Sequence, residues 1–269
     1  MIMDFHTHAF PDAIAVRAIS LLAEKARLAP NHDGTISGLK ALMKKSGVDM
    51  AAVLSIATKP KQENSVNTFA ISLLDEPSLI PFGSVYPGSD TWESQLERLA
   101  EAGIKGIKLH PEYQDFYLDC DNAVKIYKKC GSLGLIVQFH AGEDEGYPPP
   151  MHTGALRINR VCDKVPETRF IAAHFGGYNM WRDTAENLEP HGNLYLDTSM
   201  TMTGHKLDAE TALRIIEKIG ENHILFGSDA PWENPLDSIK GIERLGLADS
   251  TKEKIYFGNA AALLGLALR

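Results

Sequence analysis

Short apolar runs alternate with longer stretches of helical periodicity along the whole chain. Apolar runs of five to eight residues, bounded by polar and turn-forming residues, are typical of buried strands. The predicted strands are Ile2–His6, Met50–Ala57, Leu79–Tyr86, Gly106–His110, Leu135–His140, Arg169–His174, Leu194–Thr198 and Ile224–Ser228. Their starts lie roughly 30 residues apart, which is about the length of one βα unit.

The stretches between these runs carry apolar residues at helical spacing, as in Thr91–Ala102, where they recur near i, i+4 and i+8. The other predicted helices are Ala123–Cys130, Ala155–Val165, Ala209–Ile219, Leu236–Leu245 and a final helix, Asn259–Leu268. Strands alternating with helices predict a mostly parallel sheet covered by helices. Eight units favour a closed (β/α)8 TIM barrel over an open sheet, and 269 residues suit one barrel of ~250 residues. We therefore expect a single domain over residues 1–269.

Composition and charge exclude several classes of protein. The net charge of −8 argues against a nucleic-acid partner, which would favour a basic surface. No apolar run approaches the ~20 residues of a membrane span, and the start MIMDFHTH lacks the features of a signal peptide, so we expect a cytoplasmic protein. No GxGxxG follows the first strand and no GxxxxGK[ST] occurs, so a nucleotide site has no support. The three cysteines form no CxxC pair and predict neither a disulfide framework nor a thiolate zinc site.

Histidines and one aspartate stand where the predicted strands end. His6 and His8 form an HxH pair after the first strand, and residues two apart on a strand point to the same side. The later strands end in His110, His140, His174 and Asp229. In a (β/α)8 barrel the carboxyl ends of all strands meet at one face, where active sites are built. The fold therefore predicts that these residues converge.

Imidazole nitrogens and carboxylate oxygens are suitable ligands for a divalent metal, Zn²⁺ first, with Mn²⁺, Co²⁺ or Fe²⁺ also possible. Three histidines and one aspartate would leave a coordination position for water, whose pKa a bound Zn²⁺ lowers from 15.7 to about 7. A lone histidine at a strand end is usually only a satisfied polar residue. The combination at several strand ends favours a metal site.

The segments DFHTH, GIKLHP, AAHFGG and FGSDAPW, in that order, resemble the amidohydrolase superfamily. The resemblance covers essentially the whole chain and is strongest to the branch that contains aminocarboxymuconate-semialdehyde decarboxylase. It implies that His6, His8, His140 and Asp229 bind one metal ion and that His174 lies beside it as a catalytic residue. It also implies that Asp229 exchanges a proton, which suits a carboxylate in contact with metal-bound water.

The fourth strand departs from many members of the superfamily, which use a carbamylated lysine there to bridge two metals. Lys108 and His110 have the same parity, so both are expected to face the barrel interior. Lys108 is interpreted either as such a bridge or, with one metal, as an interior cation that contacts substrate. His110 is expected beside the ligands rather than among them.

Loops after the strands should shape substrate binding, and 111–118 and 143–152 are the candidate lids. Candidate contacts to substrate include Trp232, Phe175 and His152. Further aromatic candidates are Tyr113, Tyr178 and Trp181, and candidate partners for a substrate carboxylate are Arg157, Arg182 and Lys206. Each of these residues has an alternative role in packing or on the surface.

Three functions remain open. The first is hydrolysis of an ester, lactone or amide of a small molecule by metal-activated water. The second is non-oxidative decarboxylation of a small aromatic or dienoic carboxylate, which the branch resemblance implies. The third is a barrel that holds metal for structure only, although structural zinc sites normally have closed shells of protein ligands. The first is the main prediction. A homodimer is expected only from the habit of the family.

Overall fold

A computed structural model of the protein describes residues 1–201 and 207–266. The strands of this part of the chain are β1 Met3–Thr7, β2 Met50–Leu54, β3 Leu79–Phe82, β4 Gly106–Leu109, β5 Ile136–Phe139, β6 Phe170–Ala172, β7 Leu194–Asp197 and β8 Ile224–Leu225. Neighbouring strands pair in parallel, in the orders β1-β2-β3 and β4-β5-β6-β7-β8. Parallel bridges join Gly83 to Ile107 and Thr7 to Ala230, which closes the two sheets into one barrel. The predicted (β/α)8 barrel is therefore confirmed.

Alternate residues of the strands build two different cores. Ile107 and Leu109 of β4 pack in the cluster between the strands and the outer helices. Phe5, Phe82 and Ile136 pack in a second cluster inside the barrel. This period of two follows from the pleat of a strand, whose successive side chains point to opposite faces.

The interior face of the barrel also holds polar side chains. Lys108 in β4, Gln138 in β5 and Asp197 in β7 are fully or almost fully buried. The register of β1 against β2 shifts between Asp4 and Thr7, and such irregularities change the direction of a side chain next to a functional site. His6 lies within this irregular segment.

The helices of the described chain are α1 Asp12–Ala26, α2 Ile36–Ser46, α3 Glu63–Ser72, α4 Trp92–Ala102, α5 Pro111–Gln114, α6 Asp121–Ser132, α7 Ala155–Lys164, α8 Trp181–Asn187, α9 Ala209–Ile219, α10 Pro235–Arg244, α11 Asp249–Glu253 and α12 Asn259–Leu264. The predicted final helix ends at Leu264 because Gly265 takes the left-handed conformation, with φ of 67°. Leu268, where that prediction ended, lies outside the described residues.

Helix α1 differs from a typical barrel helix because it buries little of its surface. Only Ala15 and Ile19 of its residues are buried, whereas Ile14 and Leu21 are more than half exposed. The sequence periodicity did not predict this helix, since it lacks a continuous stripe of core residues. Within residues 1–201 and 207–266, no helix is long and apolar enough to cross a membrane.

Candidate active site

A cavity of about 280 Å³ opens where the strands end. The predicted site residues that line it are His6, His8, Lys108, His110, His140, His174, Asp229 and Trp232. They come from the ends of β1, β4, β5, β6 and β8 and from the loop after β8. The barrel thus brings together side chains that are more than 200 positions apart in the chain, as the convergence of strand ends requires.

His6, His8 and Asp229 form the first His/His/Asp group of the cavity. The Nε2 atoms of His8 and His6 lie 3.0 and 3.5 Å from Oδ1 of Asp229. The Nδ1 atom of His8 lies 2.9 Å from the carbonyl oxygen of Leu54, which can only accept a hydrogen bond. The Nδ1 atom of His6 lies 2.9 Å from Oδ2 of Asp197, which also accepts. Both imidazoles therefore carry their proton on Nδ1.

The Nε2 atoms of His6 and His8 consequently hold lone pairs, and both are directed at a carboxylate oxygen. In these tautomers neither ring directs a proton at Oδ1 of Asp229, which is buried without a hydrogen bond. A buried acceptor without a donor is costly in a protein interior unless a cation is bound there. The two outer hydrogen bonds orient the rings as in known metal sites, where a ligand histidine donates its other N–H to a carboxylate or carbonyl. The residues present fit a divalent metal.

The charges of the cavity reinforce this fit. Burial alone would raise the pKa of Asp229, but His6, His8 and His174 together bring the pKa below the usual range, so Asp229 is ionised. Burial lowers the pKa of Lys108 to about 8, against the opposing effect of Asp197 and Asp229. Nζ of Lys108 lies 3.2 Å from Nε2 of His6, to which it can donate. Burial lowers the pKa of His174 to about 3, and the neighbouring His140 acts in the same direction.

The backbone is strained at three residues of the cavity, and the third, Met200, has a φ of 55°. His174 and Asp229 have φ of 59° and 69°, in the left-handed region that residues with a Cβ atom rarely adopt. Such a conformation costs about 1–3 kcal/mol and persists where the surrounding structure enforces it, often at functional sites. At His174 the indole of Trp181 donates to the carbonyl oxygen at 2.9 Å, and the backbone N–H donates to Asp197 at 3.1 Å.

Asp197 and Ser199 contact two histidines of the site, and sequence reasoning missed both residues. Asp197 accepts hydrogen bonds from His6, from Gln138 at 2.8 Å and from the backbone N–H of Ser199 at 3.0 Å. Oγ of Ser199 lies 2.9 Å from Nδ1 of His6 and 2.8 Å from Nδ1 of His174. These two residues therefore connect His6 to His174. The available signal was the carboxylate at the end of the seventh strand, a position comparable with that of Asp229.

His110, His140 and Asp144 form the second His/His/Asp group. The Nδ1 atom of His110 accepts from the backbone N–H of Tyr113 at 3.4 Å, so its Nε2 carries a proton and faces Oδ2 of Asp144 at 3.4 Å. The Nε2 atom of His140 lies 2.8 Å from the carbonyl oxygen of Glu143 and so carries its proton. The remaining lone pair of His140, on Nδ1, lies 3.0 Å from Nε2 of His174. His140 thus joins the second group to the first through His174.

Several of the other candidates lie away from the cavity lining. Phe175 is fully buried in the outer core, and His152 pairs with the buried Glu112. Arg157 forms an ion pair with Asp119 and lies over the ring of Tyr117. Tyr113 and Tyr178 do line the cavity, whereas Trp181 packs in the outer core and Arg182 is absent from the described lining residues. Lys206 lies outside the described residues.

The fold and this site define the class of protein. The model of the amidohydrolase family matches residues 3–266, so the chain belongs to that family. The amidohydrolase family predicted from the motifs is therefore confirmed.

A curated relative, gamma-resorcylate decarboxylase from Polaromonas sp. strain JS666, is 28% identical over 140 residues, which are 45% of this chain and 41% of the relative. The aligned part thus covers less than half of that relative. The solved structure of a dihydroxybenzoic acid decarboxylase from the same strain, with bound manganese and an inhibitor, has a TM-score of 0.73 at 18% identity and covers 100% of this chain and 98% of its own. The 5-carboxyvanillate decarboxylase of Sphingomonas paucimobilis has a TM-score of 0.73 at 14% identity, with 99% of each chain covered.

These comparisons correct the main functional prediction. The curated relative and both of these structures are decarboxylases, so the expectation of a hydrolase is wrong and the second hypothesis is favoured. The physical reason is that a ligand set of histidines and aspartate serves both reactions and cannot distinguish them. The expectation of a divalent metal is supported by the fit of the first group.

Proposed function

We propose that the protein is a metal-dependent, non-oxidative decarboxylase of a small aromatic or dienoic carboxylate. The convergence of two imidazole lone pairs and one ionised carboxylate in a cavity at the strand ends is the observation that carries this proposal. The decarboxylases to which the chain is similar support the reaction type.

In this proposal His6, His8, His140 and Asp229 hold one divalent ion. The nitrogens involved would be Nε2 of His6 and His8 and Nδ1 of His140, since hydrogen bonds occupy the other nitrogen of each ring. Nitrogen and oxygen ligands suit both Mn²⁺ and Zn²⁺, and the manganese of the similar structure favours Mn²⁺. When bound, the ion supplies positive charge that anchors and polarises an anionic substrate.

Lys108 supplies a second positive charge inside the barrel. With a pKa of about 8 it is mainly protonated at neutral pH, and it can therefore face the substrate carboxylate. We assign it the role of an interior cation rather than that of a carbamate bridge between two metals. In the second group Nε2 of His110 carries a proton, so that group does not offer the ligands of a second ion.

The reaction breaks the bond between the substrate carbon and its carboxyl group, leaves the electron pair on that carbon, releases CO₂ and forms a new C–H bond. Asp229, as an ionised carboxylate, can take a proton from a substrate hydroxyl or from water and deliver it to the carbon. His174, linked through Ser199 to His6, lines the cavity and would contact the substrate there. Proton transfer by a positioned side chain contributes typically 10²–10⁴-fold to a rate.

The test is CO₂ release from a panel of hydroxybenzoates and dienoic carboxylates by protein loaded with Mn²⁺ or Zn²⁺. We expect turnover that requires the metal and is lost in His6→Ala. Incorporation of one deuterium at the product carbon in D₂O would show the C–H bond formation. A panel that gives no CO₂ with either metal, although the metal is bound, would contradict the proposed reaction.

A further inference from the structure

The wall of the cavity has two sources of different polarity. The strand ends contribute the histidines, Lys108 and Asp229. The segments after β1 and β2 contribute mostly apolar side chains, together with the smaller polar residues Ser55, Thr58 and Ser65. The larger apolar residues, which we call the apolar wall, are Phe10, Ile14, Leu22, Leu28, Val66 and Phe69. Ile14 and Leu22 belong to α1, and Val66 and Phe69 belong to α3.

The apolar wall is not used by the chemistry described above, and its side chains are not fully buried. Ile14 is 52% exposed, and the other five residues are half-buried. α1 buries only Ala15 and Ile19, so this helix contributes more to the cavity than to the barrel core. Removing apolar surface from water is favourable, by about 0.8 kcal/mol for each buried CH₂ group. A ligand with an apolar substituent would gain this free energy here.

The charges of the cavity are unfavourable for a substrate with two carboxylates. Asp144, in the loop after β5, lines the cavity in addition to Asp229. His110 and His140 bring the pKa of Asp144 below the usual range despite its burial, so this residue is ionised. Among the lining residues that the structure describes, Lys108 is the one lysine or arginine. One carboxylate can pair with Lys108 and the metal, whereas a second would face acidic side chains, and like charges disfavour binding.

We infer that the substrate is a monocarboxylate that carries an apolar, alkyl-type substituent, which lies against the apolar wall while its carboxylate faces Lys108. This inference rests on the proposed function for the reaction, but the binding of the apolar group can be measured separately. It distinguishes this chain's substrate from dicarboxylates.

The first experiment uses a series of dihydroxybenzoates that carry hydrogen, methyl, propyl or pentyl on the ring, together with a hydroxylated benzene dicarboxylate. With Mn²⁺-loaded protein, we expect kcat/KM to rise roughly threefold to fourfold for each added CH₂ group until the cavity is filled. We expect the dicarboxylate to react at least roughly tenfold more slowly than the unsubstituted monocarboxylate. A flat series, or a dicarboxylate that reacts equally well, would overturn the inference and leave the proposed reaction intact.

The second experiment measures binding without turnover. Isothermal titration calorimetry with resorcinol and its propyl and pentyl derivatives, the products of the first series, should show affinity that rises with chain length. Leu22→Ser should flatten this rise, and Val66→Ser, on the other helix, should do the same. Leu21→Ser is the matched control, because Leu21 is the neighbouring residue on α1, is 57% exposed and is absent from the described lining.

The outcomes separate the two proposals. Chain-length-dependent binding without CO₂ release from any carboxylate would refute the decarboxylase and keep the apolar wall as a ligand site. The inference would be overturned if affinity did not change with chain length. It would also be overturned if Leu21→Ser and Leu22→Ser changed the chain-length dependence of the affinity equally.

Discussion

The first and second His/His/Asp groups contain the same residue types and line the same cavity, yet their hydrogen bonds differ. In the first group the outer nitrogens of His6 and His8 donate to Asp197 and Leu54, so two lone pairs face Asp229. In the second group Nδ1 of His110 accepts from a backbone N–H, so a proton lies between His110 and Asp144. The partner of the far ring nitrogen therefore decides whether a histidine offers a lone pair or a proton.

The largest effect should come from removing one lone pair of the first group. His6→Ala should lower metal affinity by more than about 100-fold and abolish turnover. Mutation of a residue that only hydrogen-bonds to a ligand typically costs about 10–100-fold in metal affinity, and the loss of a ligand itself should cost more. Metal content by elemental analysis measures this change. His110→Ala is the matched control from the second group and should keep its metal. Equal metal loss in both variants would remove the distinction between the groups.

The next effect concerns His174, which lies between the two groups. His174→Asn should keep about one equivalent of metal and lose roughly 10²–10⁴-fold in kcat, if it acts on the substrate rather than as a ligand. Metal content and kcat are measured on the same preparation. Loss of metal in proportion to loss of activity would make His174 a ligand.

A smaller effect on metal binding is expected for a residue that hydrogen-bonds to a ligand histidine. Asp197→Asn should weaken metal binding about 10–100-fold, because an amide no longer favours the proton on Nδ1 of His6. Titration with a competing chelator gives the affinity. Ser199→Ala, which keeps the carboxylate, should change the affinity less. Unchanged metal affinity in Asp197→Asn would show that the orientation of His6 does not depend on this hydrogen bond.

The smallest effect is expected from a change in the second group, at Asp144, and it should alter the free energy of unfolding. The pKa of Asp144 lies below its usual range in the folded state, so its interactions stabilise the protein above the unfolded-state pKa of 3.8 and are lost as the pH falls below it. Asp144→Asn should therefore cost about 1 kcal/mol in the free energy of unfolding at pH 7. The difference in Tm from the native protein should stay constant from about pH 5 to 8 and shrink in more acidic solution. A difference that grows on acidification would contradict the sign of this shift.

The sequence predicted the barrel and its converging residues for a clear reason. In a parallel barrel every strand ends at the same face, so a polar residue at a strand end is placed by topology alone. His6, His8 and Asp229 were located in this way. Asp197 ends a strand as well and was missed, since its role depends on a hydrogen bond to His6 that no spacing reveals.

Other features were beyond a reading of patterns. Helix α1 was not predicted, because Ile14, Val16 and Leu21 stay exposed and produce no core-facing periodicity. The proton positions that separate the first group from the second depend on the carbonyl of Leu54 and the backbone N–H of Tyr113, which are tertiary neighbours. The main reaction was predicted wrongly because the same ligand types serve hydrolysis and decarboxylation.

The most direct test of the metal assignment is a crystal structure of the protein grown with Mn²⁺, with anomalous diffraction to locate the ion. We expect one anomalous peak within bonding distance of Nε2 of His6, Nε2 of His8, Nδ1 of His140 and Oδ1 of Asp229. A peak at His110 and Asp144 instead, or no peak at a saturating concentration of metal, would contradict the assignment of the first group as the metal centre.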